Sequence, residues 1–94
     1  MRNRARRKIG FDYDSIYYKP QGFPLSELNE IIVNPEELET LRLRYMKNLS
    51  QEEAAKKMGI SQSQYQRDLV HTLKKITNAL ISGDAINLPD NRNK

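Results

Sequence analysis

Gln62, Ser63, Gln66 and Arg67 are hydrogen-bonding side chains at i, i+1, i+4 and i+5, a spacing that gathers them on one side of a helix. A glutamine amide offers a donor and an acceptor that match the adenine edge in the major groove, and an arginine fork matches guanine in the same bidentate way. The chemistry open to this set is reading of base edges, provided that a helix starts near residue 62 and turns these positions outward. His71, Lys74 and Lys75 suit a different task, contact with backbone phosphates, which orients a protein on a duplex without specifying sequence. A solvated helix face accounts for the lysines equally well. Ser50 and Ser61, each ahead of a helical stretch, would cap it and lend N-terminal amides to phosphates.

Helices must position these groups. Ser50 with Glu53 three residues on is a capping box, and Ala54, Ala55 and Met58 give an apolar face to a helix over about 51–58. Gly59 enters the left-handed conformation without a side-chain clash, so it can end that helix and redirect the chain. Ser61 then opens a helix over about 62–82, along which Tyr65, Leu69, Leu73, Ile76 and Leu80 recur at spacings of four, four, three and four before Gly83. Two helices crossing at a short turn come close, and Ala55 is small enough to let them. Residues 50–82 therefore read as a helix-turn-helix; an ordinary helical hairpin is the plainer alternative. Asn34, Pro35, Glu36 and Glu37 announce a further helix over about 35–48, with Leu38, Leu41 and Tyr45 on its buried face.

The fold class expected is mainly α: a three-helix helix-turn-helix domain over 11–88, preceded by a flexible basic arm at 1–10 and followed by a disordered polar tail at 89–94. Residues 25–33 suit a helical turn or a short strand, and 85–88 is a second apolar segment. Antiparallel pairing of 31–33 with 85–88 would tie the chain end back to the domain and leave an edge able to join a second copy as a homodimer. Leu73, Ile76 and Leu80 lie beyond the turns that a groove can hold. They need burial against the 35–48 helix or across a two-fold axis. Phe11, Tyr13, Tyr17, Tyr18 and Phe23 are five of the seven aromatic residues; they are read as core, with stacking on unpaired bases as the alternative.

Ninety-four residues make one domain with one modest core. With no cysteine and one histidine, neither a disulfide framework nor a zinc site can be assembled. No metal or cofactor is expected, a reducing cytoplasm fits, and no apolar run approaches the roughly 20 residues that cross a bilayer. Paired catalytic acids, a nucleophile with its base, and a phosphate-cradling glycine loop are all missing from the sequence, which speaks against an enzyme. The net charge of +4 is concentrated: Arg2, Arg4, Arg6, Arg7 and Lys8 carry five positive charges with no acid among them. Such a block suits phosphate binding by counterion release; a solubilising tail is the bland reading.

From about Tyr18 to Leu88 the sequence resembles the small prokaryotic family known as domain of unknown function 134. The resemblance rests on Lys19, Pro20 and Gly22, on PEELETLRL at 35–43, on QEEAAKKMGIS at 51–61 and on the following helix with Arg67. The helix-turn-helix is also similar to the fourth conserved region of bacterial sigma factors. This implies a helix-turn-helix fold, sequence-specific binding of double-stranded DNA and a role in transcription regulation. The rival expectations are a protein-interaction adaptor that docks on RNA polymerase, and RNA binding through the arm and tyrosines. Asp68 departs from the pattern, which places an apolar residue three positions after Tyr65. A buried carboxylate there requires a rotated helix or a base such as Arg42, Arg44 or Arg67 as partner.

Overall fold

The computed structural model describes residues 8–10 and 14–90. In chain order these form β1 (Ile16–Tyr18), a 3-10 turn (Leu25–Glu27), β2 (Glu30–Ile32), α1 (Pro35–Leu41) continuing into a π-helical turn (Arg42–Met46), α2 (Gln51–Met58), α3 (Gln62–Ser82) and β3 (Ala85–Leu88). The molecule is mainly helical with a small three-stranded sheet.

Local chemistry sets the helix ends. Asn34 accepts from the Glu37 amide at 2.9 Å while the Glu37 carboxylate accepts from the Asn34 amide at 3.0 Å, and Ser50 and Glu53 repeat this at the start of α2. Ser61 caps α3 by accepting from the Gln64 amide at 3.1 Å. Gly59 and Gly83 terminate α2 and α3 at φ of 74° and 76°, where a side chain would be strained. The helix expected over 35–48 is shorter and ends in a wide turn. Its i→i+5 winding advances each residue by a smaller angle than an α-helix does. Leu43, four residues after buried Glu39 and three after buried Thr40, enters the core on their face, while Tyr45, expected there, stays exposed.

The long helix serves two cores. Its first half packs Tyr65 and Leu69 with Leu43, Ala54, Ala55 and Met58; its second half packs Ala79 and Ile76 with Val33, Leu38, Ile86 and Leu88. The Tyr65 hydroxyl donates to the Thr40 carbonyl at 2.6 Å, fastening α3 to α1. The inward residues beyond Leu69 are thus Thr72, Ile76 and Ala79, at alternating spacings of three and four. Leu73 and Leu80 fall about one residue's rotation off that line, and Leu80 is 69% exposed.

Thr72 is fully buried between the two clusters, and its hydroxyl has no hydrogen-bond partner among the described residues. Thr72→Val keeps the shape and removes a desolvated donor, so it should raise the unfolding free energy by about 1 kcal/mol in urea titration. A loss of stability would mean that the hydroxyl is satisfied in solution.

The expected two-stranded antiparallel sheet is replaced by three strands in the order β1-β3-β2. β3 runs antiparallel to β1, Ile16 facing Leu88, and parallel to β2, Glu30 facing Ala85. The chain leaves β2 through three helices and returns from α3, and a helical crossover of this kind lets two neighbouring strands point the same way. Tyr17, Tyr18 and Phe23 are about half exposed, against the expectation that they form core. β1 is a three-residue edge strand, and Ile86 and Leu88 of the central strand already cover the second cluster. Phe11 and Tyr13 lie outside the described residues. At the other end Asp90 donates its amide to Ser15 at 3.1 Å, so the segment read as tail is attached at its start.

Candidate nucleic-acid interface

α3 opens on Gln62 and Ser63, both exposed, and one turn later presents Gln66 and Arg67, also exposed. All four are exposed over the first turns of α3, Ser63 and Arg67 on the side away from buried Tyr65, so the structure brings together the set expected from sequence. Arg67 is oriented within its own helix: its Nη2 donates to Gln64 Oε1 at 2.9 Å, and Gln64 Nε2 donates to Asp68 Oδ1 at 2.7 Å. Asp68 is half-buried and bonded to this amide, which makes it part of a relay behind Arg67 rather than a stray charge.

Sequence reasoning missed Gln64, whose place four residues before Asp68 is a recognisable helical amide–carboxylate pair. It also missed Val70, an exposed apolar side chain one turn beyond Gln66 on the same flank. Its methyl groups suit contact with a thymine methyl.

The three helix N-termini differ electrostatically. α1 and α2 carry glutamates in their first turns, and Glu37 and Glu53 occupy the cap amides of Asn34 and Ser50. Hydrogen bonds from Ser50 hold the Glu53 carboxyl below its ordinary value. An incoming phosphate at Ser50 would meet a carboxylate already bonded to that amide, which weakens the phosphate role expected there. Ser61 heads a helix with no acid in its first turn, so the positive end of α3 is left uncompensated by its own side chains.

Among the expected phosphate contacts, Lys74 is exposed on the outer flank. Lys75 faces α1 instead, where its Nζ donates to Glu37 Oε1 at 2.7 Å. His71 is largely exposed with Nε2 3.6 Å from Glu37 Oε2. Arg2, Arg4, Arg6 and Arg7 lie outside the described residues. Lys8 is within them, and its amide donates to the Met58 carbonyl at 3.2 Å, so the arm's base is docked on the helix-turn-helix rather than loose. No helix among the described residues is long and apolar enough to cross a membrane.

Comparison with known proteins adds kinship. The family model described as "Protein of unknown function DUF134" matches residues 1–90. A "UPF0251 protein" of Methanosarcina acetivorans is 44% identical over 89 residues, covering 94% of this chain and 54% of that protein. Another, of Pelotomaculum thermopropionicum, is 40% identical over 72 residues, covering 77% of this chain and 54% of its own length. The chain spans about half the length of the curated relatives it matches. No solved structure matches it.

Proposed function

We propose, from the premise that the chain belongs to the DUF134 family, that it binds double-stranded DNA sequence-specifically and acts in transcriptional regulation. The observation that carries this reading is the N-terminal end of α3: capped by Ser61, without an acid in its first turn, and followed by exposed Gln62, Ser63, Gln66, Arg67 and Val70. The other two helices hold carboxylates at the corresponding place. A helix with this electrostatic end accepts a phosphate at its cap and enters a major groove N-terminus first.

In that pose Arg67 reads guanine, the glutamines read adenine and Val70 meets a thymine methyl, while Lys56, Lys57, Lys74 and the arm neutralise phosphates. Arg67→Ala should cost about 1–3 kcal/mol on the preferred duplex and blunt discrimination at one base pair. Titration of the preferred and of a scrambled duplex measures both effects. Equal loss on the two would reassign Arg67 to the backbone.

The exposure of Tyr17, Tyr18 and Phe23 favours a second reading, stacking on single-stranded nucleic acid. Salt-dependent competition between a duplex and its separate strands distinguishes the two: the duplex should win through α3, the single strand through the tyrosines.

A second copy is the partner we propose for the far end of α3. Leu80 and Ile81 are 69% and 81% exposed, and fourteen residues, about 21 Å of helix, separate Leu80 from Gln66. Two such helices meeting near Leu80 can set their reading ends one duplex turn, about 34 Å, apart. Sedimentation at micromolar concentration, with and without DNA, should reveal a dimer; a strict monomer in both conditions rejects it.

A further inference from the structure

Arg67 is held from behind. Its Nη2 donates to Gln64 Oε1 at 2.9 Å, and Gln64 Nε2 donates to Asp68 Oδ1 at 2.7 Å. The two ends fix the direction of the amide between them: a guanidinium only donates and a carboxylate only accepts, so the oxygen must face Arg67 and the nitrogen Asp68. Gln64 is also tied through its backbone, whose amide donates to the capping hydroxyl of Ser61 at 3.1 Å. Of the three arginines among the described residues, half-buried Arg42 closes on Glu39, and half-buried Arg44 donates its Nη1 to the Leu49 carbonyl. Arg67 is the one held on an exposed helix face, by a neutral side chain.

We propose that Gln64 and Asp68 are positioning residues that aim the Arg67 fork at a guanine edge and so set the specificity of α3 at one base pair; this rests on the reading of α3 as a major-groove helix. Gln64 engages one Nη2 hydrogen, which leaves the guanidinium a complete donating fork for the N7 and O6 acceptors of guanine. The bond reaches back three residues, so the head group is drawn toward the N-terminal end of α3, the end by which a recognition helix meets base edges. A phosphate oxygen accepts from a mobile arginine as readily as from a held one. A base edge presents two acceptors at fixed positions in one plane, and a side chain already ordered loses less freedom in meeting them. Asp68 acts through Gln64: without the carboxylate the amide can turn its nitrogen to Arg67, two donors then face each other, and the guanidinium is released.

The test measures discrimination: the ratio of affinities for a duplex that the full chain recovers from a randomised pool and for the same duplex changed at the base pair where Arg67→Ala loses selectivity. Gln64→Met keeps the length of the side chain and removes both bonds. It should lower discrimination at that base pair about fivefold, the worth of ordering one long side chain, and leave the other base pairs as they are. In an Arg67→Ala background the same change should have no effect. Gln64→Glu combined with Asp68→Asn keeps the net charge and reverses the second bond: the carboxylate at position 64 accepts both from Arg67 and from the amide at position 68, so discrimination should return to that of the parent. A merely structural role gives no such rescue. Unchanged discrimination with Gln64→Met, loss at every base pair, loss that persists without Arg67, or an exchange that fails to rescue overturns the positioning role while leaving α3 as reader. A pool that yields no duplex overturns the reading of α3 as well, and selectivity untouched by Arg67→Ala removes both Arg67 and its supports from that reading.

Discussion

Tyr65→Ala should destabilise the domain by about 3–5 kcal/mol, a large share of the roughly 5–14 kcal/mol expected for a chain of this size. The ring is fully buried among Met58, Ala54, Ala55, Leu43 and Leu69, where its loss opens a cavity at the crossing of α2 and α3. Tyr65→Phe keeps the ring and loses only the bond to the Thr40 carbonyl, and should cost about 1 kcal/mol. The pair separates packing from hydrogen bonding in one urea series. Burial also pushes the hydroxyl from 10.0 up to about 12. The unfolded chain then ionises first, so this residue's contribution is complete below pH 10 and declines as pH rises from 10 towards 12. Tyr65→Phe should remove that part of the alkaline loss. An unfolding curve for Tyr65→Ala matching that of the parent would refute the placement of the ring.

Deleting residues 1–7 should have the largest effect on binding. Four arginines are lost while the tethers at Lys8 and Gly10 remain, so the fold should persist. Each phosphate contact contributes about 0.9 to the log–log salt slope. Removal should therefore flatten the slope by about 3.6, and the full chain should lose about a hundredfold more affinity than the deletion between 50 and 200 mM salt. Filter binding across that range measures the slope. An unchanged slope would reduce the arm to a solubilising segment.

The helix-turn-helix was legible because its signals are local. A cap is a contact across three or four residues, so Asn34, Ser50 and Ser61 announce helix starts whatever the rest of the chain does. Gly59 and Gly83 announce ends for a steric reason confined to one residue. The outward positions of Ser63, Gln66 and Arg67 followed from one inward residue, Tyr65, and the helical period, while Gln62 is exposed because it stands at the helix's first position. The relay through Gln64 to Asp68 was local too, yet it went unseen because a carboxylate after Tyr65 suggested an arginine partner instead of an amide one turn back.

Elsewhere the deciding contacts join residues far apart in the chain, which leave no mark at short spacing. Which residues of α3 turn inward past Leu69 depends on what lies against the helix, and β3 with Val33 selects Ile76 and Ala79 over Leu73 and Leu80. β1 finds its place only when β3 returns between it and β2, so neither the third strand nor the parallel direction could be read from 31–33 and 85–88 alone. Lys75 looked equivalent to Lys74 until Glu37 of α1 claimed it. Glu39 is buried because the Arg42 fork and the Gly10 amide, 29 residues away in the chain, together make its burial tolerable. Sequence determined where α1 begins and where α2 and α3 begin and end, because those choices are settled within a turn of backbone; tertiary structure decided which faces and charges are spent inside, because burial exists only once a distant partner has arrived.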